Sequence, residues 1–432
     1  MPTTIHKSLT ALPPYLVICF LTVLYFVSIM QVPFHPDEST QLFNSYDVET
    51  FFKDPLSMAW EPSIPLTTQM RYRMLDAPLT RIFIGIGRII TGQPPQTVDW
   101  DWSKSWEENS NEGALPQKSE LFVARLSVSW VFPLSLLLFW HLLSKYFGKL
   151  AGWIGIVFLA GNSLILLHTR RSMAESLTVF FVILCIWAIF FCKKHPWLIA
   201  LPVSLVFNAK QSTVIWLIIG FMPILFNYKY YIHHKLLGTK HILLYAIIVT
   251  GVFFCLNPFT WKHPIYSLQE AFTLRQNLVA QQLADIIRVS PHAALITPLQ
   301  RIIGIVANLF FTAPAPLDTA NYQIELSVQV NKYSSIPINN FMRNFFGGSI
   351  LLIFSITGMY SVLRGLIRNQ KREEILILLA GVLQFILLVF TVPIPFQRYV
   401  MPLVPIVVFF FAIGLSNLIN LFLQFSQIRK LS

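Results

Sequence analysis

Charged residues are scarce in this sequence. Asp, Glu, Lys and Arg together make up 12% of its 432 residues, whereas 55% are hydrophobic and the mean hydropathy is +0.60. About 20 consecutive apolar residues suffice to cross the hydrocarbon core of a bilayer. The composition therefore argues against a soluble protein and indicates a polytopic membrane protein.

Ten apolar runs are long enough, or nearly long enough, to span a membrane. Every backbone group in lipid must be hydrogen-bonded internally, so we predict that each run is a helix. The fold class predicted is an all-α bundle of about ten transmembrane helices. The runs are 14–33, 121–144, 150–168, 176–192, 196–207, 213–227, 241–257, 346–366, 375–393 and 399–424.

Cysteine is also rare, with four in the chain. Cys19, Cys185, Cys192 and Cys255 all fall within predicted spans or at a cytoplasmic end of one. This placement excludes a disulfide framework outside the cytoplasm and a metal site built from thiolates.

Acidic residues are fewer than basic ones, 20 against 32, which gives a formal net charge of +12. Basic residues mark cytoplasmic loops. If the N-terminus is cytoplasmic, alternation of ten spans places 14 basic and two acidic residues on that side, among them Lys145, Lys193, Lys194 and the cluster at 364–372. The opposite side then carries 18 of each sign, so the excess charge is a topology signal and no nucleic-acid partner is required.

Two long segments interrupt the helices, and this topology places both outside the cytoplasm: 34–120 and 258–343. The first holds 13 of the 20 acidic residues. It also holds an amphipathic stretch at 76–92, in which Arg81 and Arg88 share one helical face, and we predict a helix lying along the membrane surface.

Three further stretches of these segments carry predictions. The aromatic and acidic loop at 98–113 is expected to place its tryptophans at the lipid headgroups. The second segment contains a helix candidate at 265–290 and a semi-apolar run at 296–313. That last run fits either a surface helix or an extra span, although an extra span would turn the basic cluster at 364–372 outward, against the charge rule.

Charged residues gather at the predicted outer ends of spans. A lone charge there is most often a solvated helix end or a snorkelling side chain. Seven together predict one site, with carboxylates for proton abstraction and cations suited to a phosphate. The seven are Asp37 and Glu38 after the first span, Arg170 and Arg171 after the third, Glu175 before the fourth, Lys210 between the fifth and sixth, and Arg398 before the tenth.

Such a site suits transfer of a sugar from a lipid phosphate. A carboxylate removes the proton of an acceptor hydroxyl or amine, while Arg and Lys stabilise the charge on the departing phosphate. We predict Asp37 as the base, with Glu38 as the alternative, and Arg170, Lys210 and Arg398 as phosphate ligands.

The motifs resemble those of GT-C-type membrane glycosyltransferases, in the branch that includes protein O-mannosyltransferases and bacterial aminoarabinose transferases. The resemblance covers 13–260 and 345–415 and begins with the Asp37–Glu38 pair, which matches an acidic pair after the first span. The stretch "DAPLTRIFIGIGRIITG" resembles a surface helix that starts with Pro-Pro-Leu, with Ala77 in place of the first proline.

Three later motifs continue the resemblance. "HTRRSMAES" matches a His-Ser-Arg pattern followed by Met and an acid, which maps onto His168, Arg170, Met173 and Glu175. Lys210 in "NAKQS" falls where the family has a Thr-Lys turn. "QRYVMPLVP", with Arg398 and Tyr399, resembles the Arg-Tyr entry to a late span.

The resemblance implies a single GT-C-like membrane domain over 1–432. Its sugar donor would be a polyprenyl-phosphate-linked sugar, and its acceptor a lipid, a glycan or a protein. No cofactor is implied. The segment 258–343 matches no part of the pattern, and the chain has fewer spans than many relatives and no large soluble domain at its C-terminal end, so the acceptor stays open.

Supporting residues and the metal question complete the predicted site. Glu175 is expected to pair with Arg170 or Arg171. His35 is expected to be solvated at the surface, with a role as a second polar ligand as the alternative. Asp37, Glu38 and His35 could seed a metal site, as in metal-dependent oligosaccharyltransferases, but adjacent side chains on one turn seldom converge on one ion. We therefore predict a metal-independent enzyme.

Two other function classes fit the composition: a flippase or transporter for a lipid-linked saccharide, and a non-catalytic membrane scaffold. A transporter is expected to place charge near mid-bilayer, whereas the charges here lie at span ends. The predicted location is a bacterial plasma (inner) membrane with the site facing outward, because the chain ends without a retention signal and its loops carry no N-x-[ST] acceptor. An endoplasmic reticulum membrane is the alternative.

Overall fold

The computed structural model describes residues 13–226, 235–317, 322–367 and 372–428, and within these ranges helices are the only regular secondary structure. Seven helices among the described residues are long and apolar enough to cross a membrane, which makes the chain an all-α integral membrane protein. They are Pro14–Gln31, Lys118–Phe147, Ala174–Phe191, Gly238–Leu256, Phe345–Gly365, Glu373–Thr391 and Gln397–Ser426.

The count of ten spans is not confirmed. Three predicted spans correspond to helices of 10 to 17 residues, namely Lys149–Gly161, Pro196–Ala209 and Gln211–Phe226. The predicted run 150–168 is broken because the Asn162 side chain accepts hydrogen bonds from Leu164 N and Ile165 N and so begins a new helix. The ambiguous run at 296–313 is likewise a short helix, Pro298–Phe311. Residues 368–371 of the predicted basic cluster lie outside the described part of the chain.

The α-helices are numbered here in chain order. The first connecting segment and the helix before it contain α1 (Pro14–Val27), α2 (Pro36–Asn44), α3 (Asp47–Lys53), α4 (Thr68–Leu75), α5 (Leu79–Thr91) and α6 (Trp106–Asn111). The middle of the chain contains α7 (Lys118–Ser129), α8 (Phe132–Phe147), α9 (Lys149–Gly161), α10 (Ser163–His168), α11 (Ala174–Phe191), α12 (Ala200–Ala209), α13 (Ile215–Phe226) and α14 (Lys235–Leu256). The remainder contains α15 (Pro264–Val289), α16 (Pro298–Val306), α17 (Gln323–Ser334), α18 (Phe345–Ile367), α19 (Arg372–Thr391) and α20 (Val404–Ile428).

Helices α18 and α20 cross at very close range through two glycines. A Cβ on Gly358 would strike the backbone oxygen of Phe410, and one on Gly414 would strike that of Phe354. In lipid no hydrophobic driving force brings helices together, so they associate through close packing, and small residues let their backbones approach closely. This crossing fixes the position of α20 against α18, and therefore also the position of the 3₁₀ turn Gln397–Leu403 that precedes α20.

Helix α5 is the amphipathic helix predicted at 76–92, and the face shared by Arg81 and Arg88 is its buried one. Arg81 Nε lies 3.3 Å from Asp47 Oδ2, and Arg88 Nη2 lies 2.7 Å from Glu49 Oε1. Its exposed face is apolar and includes Ile90, which is 77% exposed. A polar face packed on the protein and an apolar face turned outward suit a helix at a membrane surface.

The aromatic loop at 98–113 does not place all its tryptophans at the surface. Trp100 is buried, and its ring centroid lies 5.4 Å from that of Trp106 and 5.1 Å from that of Tyr322. Phe34 completes this small core. The expectation that the loop meets lipid headgroups is therefore wrong for Trp100, because the two connecting segments bury its apolar ring between them.

Candidate functional site

Asp37 and Arg398 form an ion pair across 361 residues of sequence. Asp37 lies in the first turn of α2, and Arg398 lies in the 3₁₀ turn before α20. Their side chains are 29% and 15% exposed, so both are reachable from solvent. The pair joins the end of the first span to the start of the last one.

Lys210 continues this pair into a chain of charges. Lys210 Nζ donates to Glu175 Oε1 at 2.6 Å and to the backbone oxygen of Arg398 at 3.0 Å. The ring of Tyr399 lies 5.5 Å from Lys210 Nζ and 6.0 Å from Arg398 Cζ. We call Asp37, Glu175, Lys210 and Arg398 the ion-pair cluster. The structure thus brings together four of the predicted site residues, with Tyr399 beside them.

Local backbone geometry explains the placement of Lys210 and Glu175. Lys210 has an extended backbone between α12 and a 3₁₀ turn, so the helix is interrupted at the residue whose side chain enters the cluster. Glu175 lies in the first turn of α11, where the helix dipole favours a negative charge. Charges at the edge of an apolar bundle are tolerated when they are paired, and these two side chains are only 14% and 3% exposed.

Glu38 has a different environment from its neighbour Asp37. It is fully buried, and its two carboxylate oxygens accept five hydrogen bonds: two from Arg125 at 2.8 and 2.7 Å, two from Ser172 at 2.9 and 3.0 Å, and one from His35 N at 3.1 Å. Burial raises the pKa of Glu38, but the charge and hydrogen bonds of Arg125, together with the charge of Arg171 and the hydrogen bond from Ser172 N, outweigh burial and hold that pKa below its usual value. Glu38 is therefore a structural anchor, and its prediction as the alternative base is not supported.

Arg125 is a structural residue that the sequence reasoning missed. It lies on α7 and, besides Glu38, it donates to the backbone oxygens of Ile29 at 3.0 Å and Val32 at 2.9 Å. It therefore fixes the end of α1 and the start of α2, which positions Asp37. A lone arginine inside the apolar stretch "ELFVARLSVSW" was the available signal, because a charge within a span requires a partner.

Arg170 and Arg171 are not part of the ion-pair cluster. Arg170 donates to the backbone oxygens of Leu166 and Ser28, and Arg171 donates to that of Pro33 at 3.1 Å. Both side chains are buried against backbone carbonyls. The prediction that one of them pairs with Glu175 is wrong, because Lys210 takes that position, and Arg170 is better assigned to the scaffold than to a phosphate.

His35 and His168 are both buried. His35 Nδ1 accepts a hydrogen bond from Asp37 N at 3.1 Å, so His35 caps α2. Its ring lies 6.3 Å from that of Trp102. The expectation of a solvated His35 is wrong, and the residue instead orients the turn that carries Asp37. His168 ends α10 within electrostatic reach of Glu175.

Two further carboxylates lie near Asp37, and the sequence reasoning did not select them. Asp99 accepts hydrogen bonds from Tyr72 Oη at 2.6 Å and Thr40 Oγ1 at 2.9 Å. Asp76 lies 3.8 Å from Arg275 of α15. Burial raises the pKa of both Asp76 and Asp99, and the nearby charge of Asp37 adds to the rise. For Asp76, the signal available in the sequence was an acidic residue directly before the start of a helix, in "DAPLT".

The described residues contain no group of three or more His, Cys, Asp or Glu side chains arranged to hold a metal ion. Metal independence itself stays a prediction. A scan against known family models finds no match for this chain, and a search of curated proteins finds no matching relative. The resemblance to GT-C glycosyltransferases therefore rests on the motifs alone.

Proposed function

We propose that this protein is an inverting GT-C-type glycosyltransferase that moves a sugar from a polyprenyl-phosphate donor to a lipid, glycan or protein acceptor. The ion-pair cluster carries the proposal. It combines a solvent-reachable carboxylate with two cations, Lys210 and Arg398, on elements far apart in sequence. A scaffold protein has no need for such a combination, and a transporter is expected to place its charges near mid-bilayer.

The proposed reaction uses Asp37 as the base. The acceptor oxygen or nitrogen attacks the anomeric carbon of the sugar and forms the new glycosidic bond. The bond between that carbon and the phosphate oxygen breaks, and the phosphate leaves with the electron pair. Asp37 takes the acceptor proton, while Lys210 and Arg398 stabilise the charge on the phosphate.

The ion pair between Asp37 and Arg398 gives this site a resting state. A guanidinium binds a phosphate in the same bidentate manner as a carboxylate. Arrival of the sugar donor would therefore let the phosphate replace Asp37 as the partner of Arg398. The Asp37 carboxylate could then accept the proton of the acceptor. Lys210 can stay bound to Glu175, which keeps its ammonium group beside the leaving group.

The proposed setting follows the predicted topology. The site would face away from the cytoplasm, in a bacterial plasma membrane or, as the alternative, in an endoplasmic reticulum membrane. Membrane lipids surround the apolar helices. The parts of the two connecting segments nearest the cluster would supply the acceptor side: the region of Tyr72, which lies within electrostatic reach of Asp37, and that of Arg275, which donates to Gln211 beside Lys210.

The test is mass spectrometry of cell-envelope glycans and lipids in a deletion strain, followed by complementation. Asp37→Asn should fail to restore the lost product, because removal of a positioned base lowers the rate by about 10²–10⁴. Asp285→Asn is the matched control, since Asp285 is an exposed carboxylate at the far end of α15. It should restore the product fully.

Two outcomes would overturn the proposal. Restoration of the product by Asp37→Asn at wild-type level would remove Asp37 as the base. Absence of any transfer by the purified protein, given polyprenyl-phosphate sugars and an extract that contains the acceptor, together with movement of those lipids across a vesicle membrane, would favour the transporter.

A further inference from the structure

A cavity lined by basic and aromatic side chains lies at the other end of α11 from the ion-pair cluster. Its volume is about 390 Å³, room for about 13 water molecules. Lys145, Lys193, Lys194 and His195 line it. Glu175 and Phe191 stand at opposite ends of α11, which places this cavity about 24 Å from the cluster along the helix. The cavity is independent of the proposed function.

Aromatic rings hold the cations of this cavity in place. Lys145 Nζ lies 4.6 Å from the ring centroid of Phe191, and Lys193 Nζ lies 5.6 Å from that of Tyr146. Tyr146 Oη also donates to the backbone oxygen of Phe190 at 2.9 Å, which ties α8 to α11. The walls therefore come from two helices joined by a hydrogen bond.

The charges around the cavity do not cancel. Lys193 Nζ lies 2.8 Å from Glu373 Oε1, so that lysine is neutralised by the first turn of α19. Lys145 and Lys194 add two further positive charges, and His195 adds a third when it is protonated. A cavity lined by net positive charge favours an anion.

Stabilisation of helix ends explains only part of this arrangement. Cations favour helix C-termini, and both α8 and α11 end here, at Phe147 and Phe191. That effect accounts for one lysine near each end. It does not require several cations and two aromatic rings to line a common cavity.

We infer that this cavity binds the phosphate-bearing headgroup of an anionic phospholipid. Basic pockets between transmembrane helices bind such headgroups, and aromatic side chains favour the membrane interface. Leu198, which lines the cavity, is 40% exposed beside the cations. This leaves an apolar surface next to the phosphate position, as an acyl chain requires. Because the cavity touches α8, α11 and, through Glu373, α19, a bound lipid would fasten these three helices together.

The test is titration of the full chain in detergent with phosphatidylglycerol, read by native mass spectrometry. Each lysine near a lipid surface contributes about fivefold in affinity, so Lys145→Gln/Lys194→Gln should bind about 25-fold more weakly than wild type. Lys53→Gln/Lys118→Gln removes the same charge from two exposed lysines of the first connecting segment. It should bind like wild type.

Phosphatidylcholine and soluble glycerol phosphate supply the other arms of the experiment. Phosphatidylcholine should bind far more weakly, and glycerol phosphate should not compete at equal concentration. The inference is overturned by equal affinity for both phospholipids, by equal loss in the two double variants, or by effective competition from glycerol phosphate, which would indicate a soluble anion. If the double variant does not fold, Lys194→Gln alone, at an exposed position, should still bind about fivefold more weakly.

Discussion

Adjacent carboxylates on α2 should respond to substitution in opposite ways. Glu38→Ala leaves the guanidinium of Arg125 buried without its counter-charge, while Asp37→Ala removes only the partly exposed partner of Arg398. We expect the first change to reduce the stability of the protein and the second to reduce transfer. The pair therefore separates a structural carboxylate from a catalytic one within a single turn.

The magnitude follows from burial. The side chains of Glu38 and Arg125 are 0% and 1% exposed, and breaking such a buried pair costs about 3–5 kcal/mol. The backbone oxygens of Ile29 and Val32 still accept from Arg125, but they carry no full charge to replace the carboxylate. At Asp37, where water reaches the pair, loss of the carboxylate should cost about 1 kcal/mol or less.

Thermal unfolding in one detergent, followed by tryptophan fluorescence, gives the order of stabilities. We expect wild type and Asp37→Ala to unfold at similar temperatures and Glu38→Ala well below them. The double variant Glu38→Gln/Arg125→Met removes both charges and should recover part of the loss. Unfolding of Glu38→Ala at the temperature of Asp37→Ala would show that Arg125 does not need Glu38 as its counter-charge.

Four further predictions follow from the geometry. Lys210→Ala and Arg398→Ala should each weaken binding of a polyprenyl-phosphate sugar by about 1.5–3 kcal/mol, with partial rescue by Arg398→Lys, and unchanged affinities in a binding titration would contradict this. Transfer should persist in excess EDTA, and a loss that Mg²⁺ or Mn²⁺ restores would instead indicate a metal-dependent enzyme. Because the pKa of Glu38 is depressed in the folded protein, ionised Glu38 stabilises the fold fully above the ordinary carboxyl pKa, and this stabilisation is lost as pH falls toward the depressed value. Glu38→Gln should therefore lose less melting temperature on acidification than wild type does, and the same pH dependence in both proteins would contradict this role of Glu38. Gly414→Ala should destabilise the protein by about 1–3 kcal/mol in thermal unfolding, whereas Gly251→Ala, where a Cβ meets open space, should not, and equal melting temperatures would exclude the close helix crossing.

Apolar runs were the most informative feature of the sequence. Seven predicted spans are helices of sufficient length, because a long apolar run in lipid has no other way to satisfy its backbone. The other three predicted spans correspond to shorter helices, and one of them, 150–168, is divided because the Asn162 side chain starts a new helix within the apolar stretch. The sequence carries composition along the chain, but such a local hydrogen bond decides where one helix ends and the next begins.

The sequence also included Asp37, Glu175, Lys210 and Arg398 among the seven charges of one predicted site, because charges beside apolar runs are costly and need partners. It could not choose among the partners. Arg170 and Arg171 lie closer to Glu175 in sequence than Lys210 does, yet both turn to backbone carbonyls.

The two neighbours in "FHPDES" show where the sequence stops being sufficient. By itself it determined that this turn carries two carboxylates after an apolar helix. Consecutive residues of a helix point about 100° apart, so Asp37 and Glu38 had to face different surroundings. Only the packing of α7 against α2 and the arrival of Arg398 from the last span decided that Glu38 is buried on Arg125 and Asp37 stays within reach of solvent.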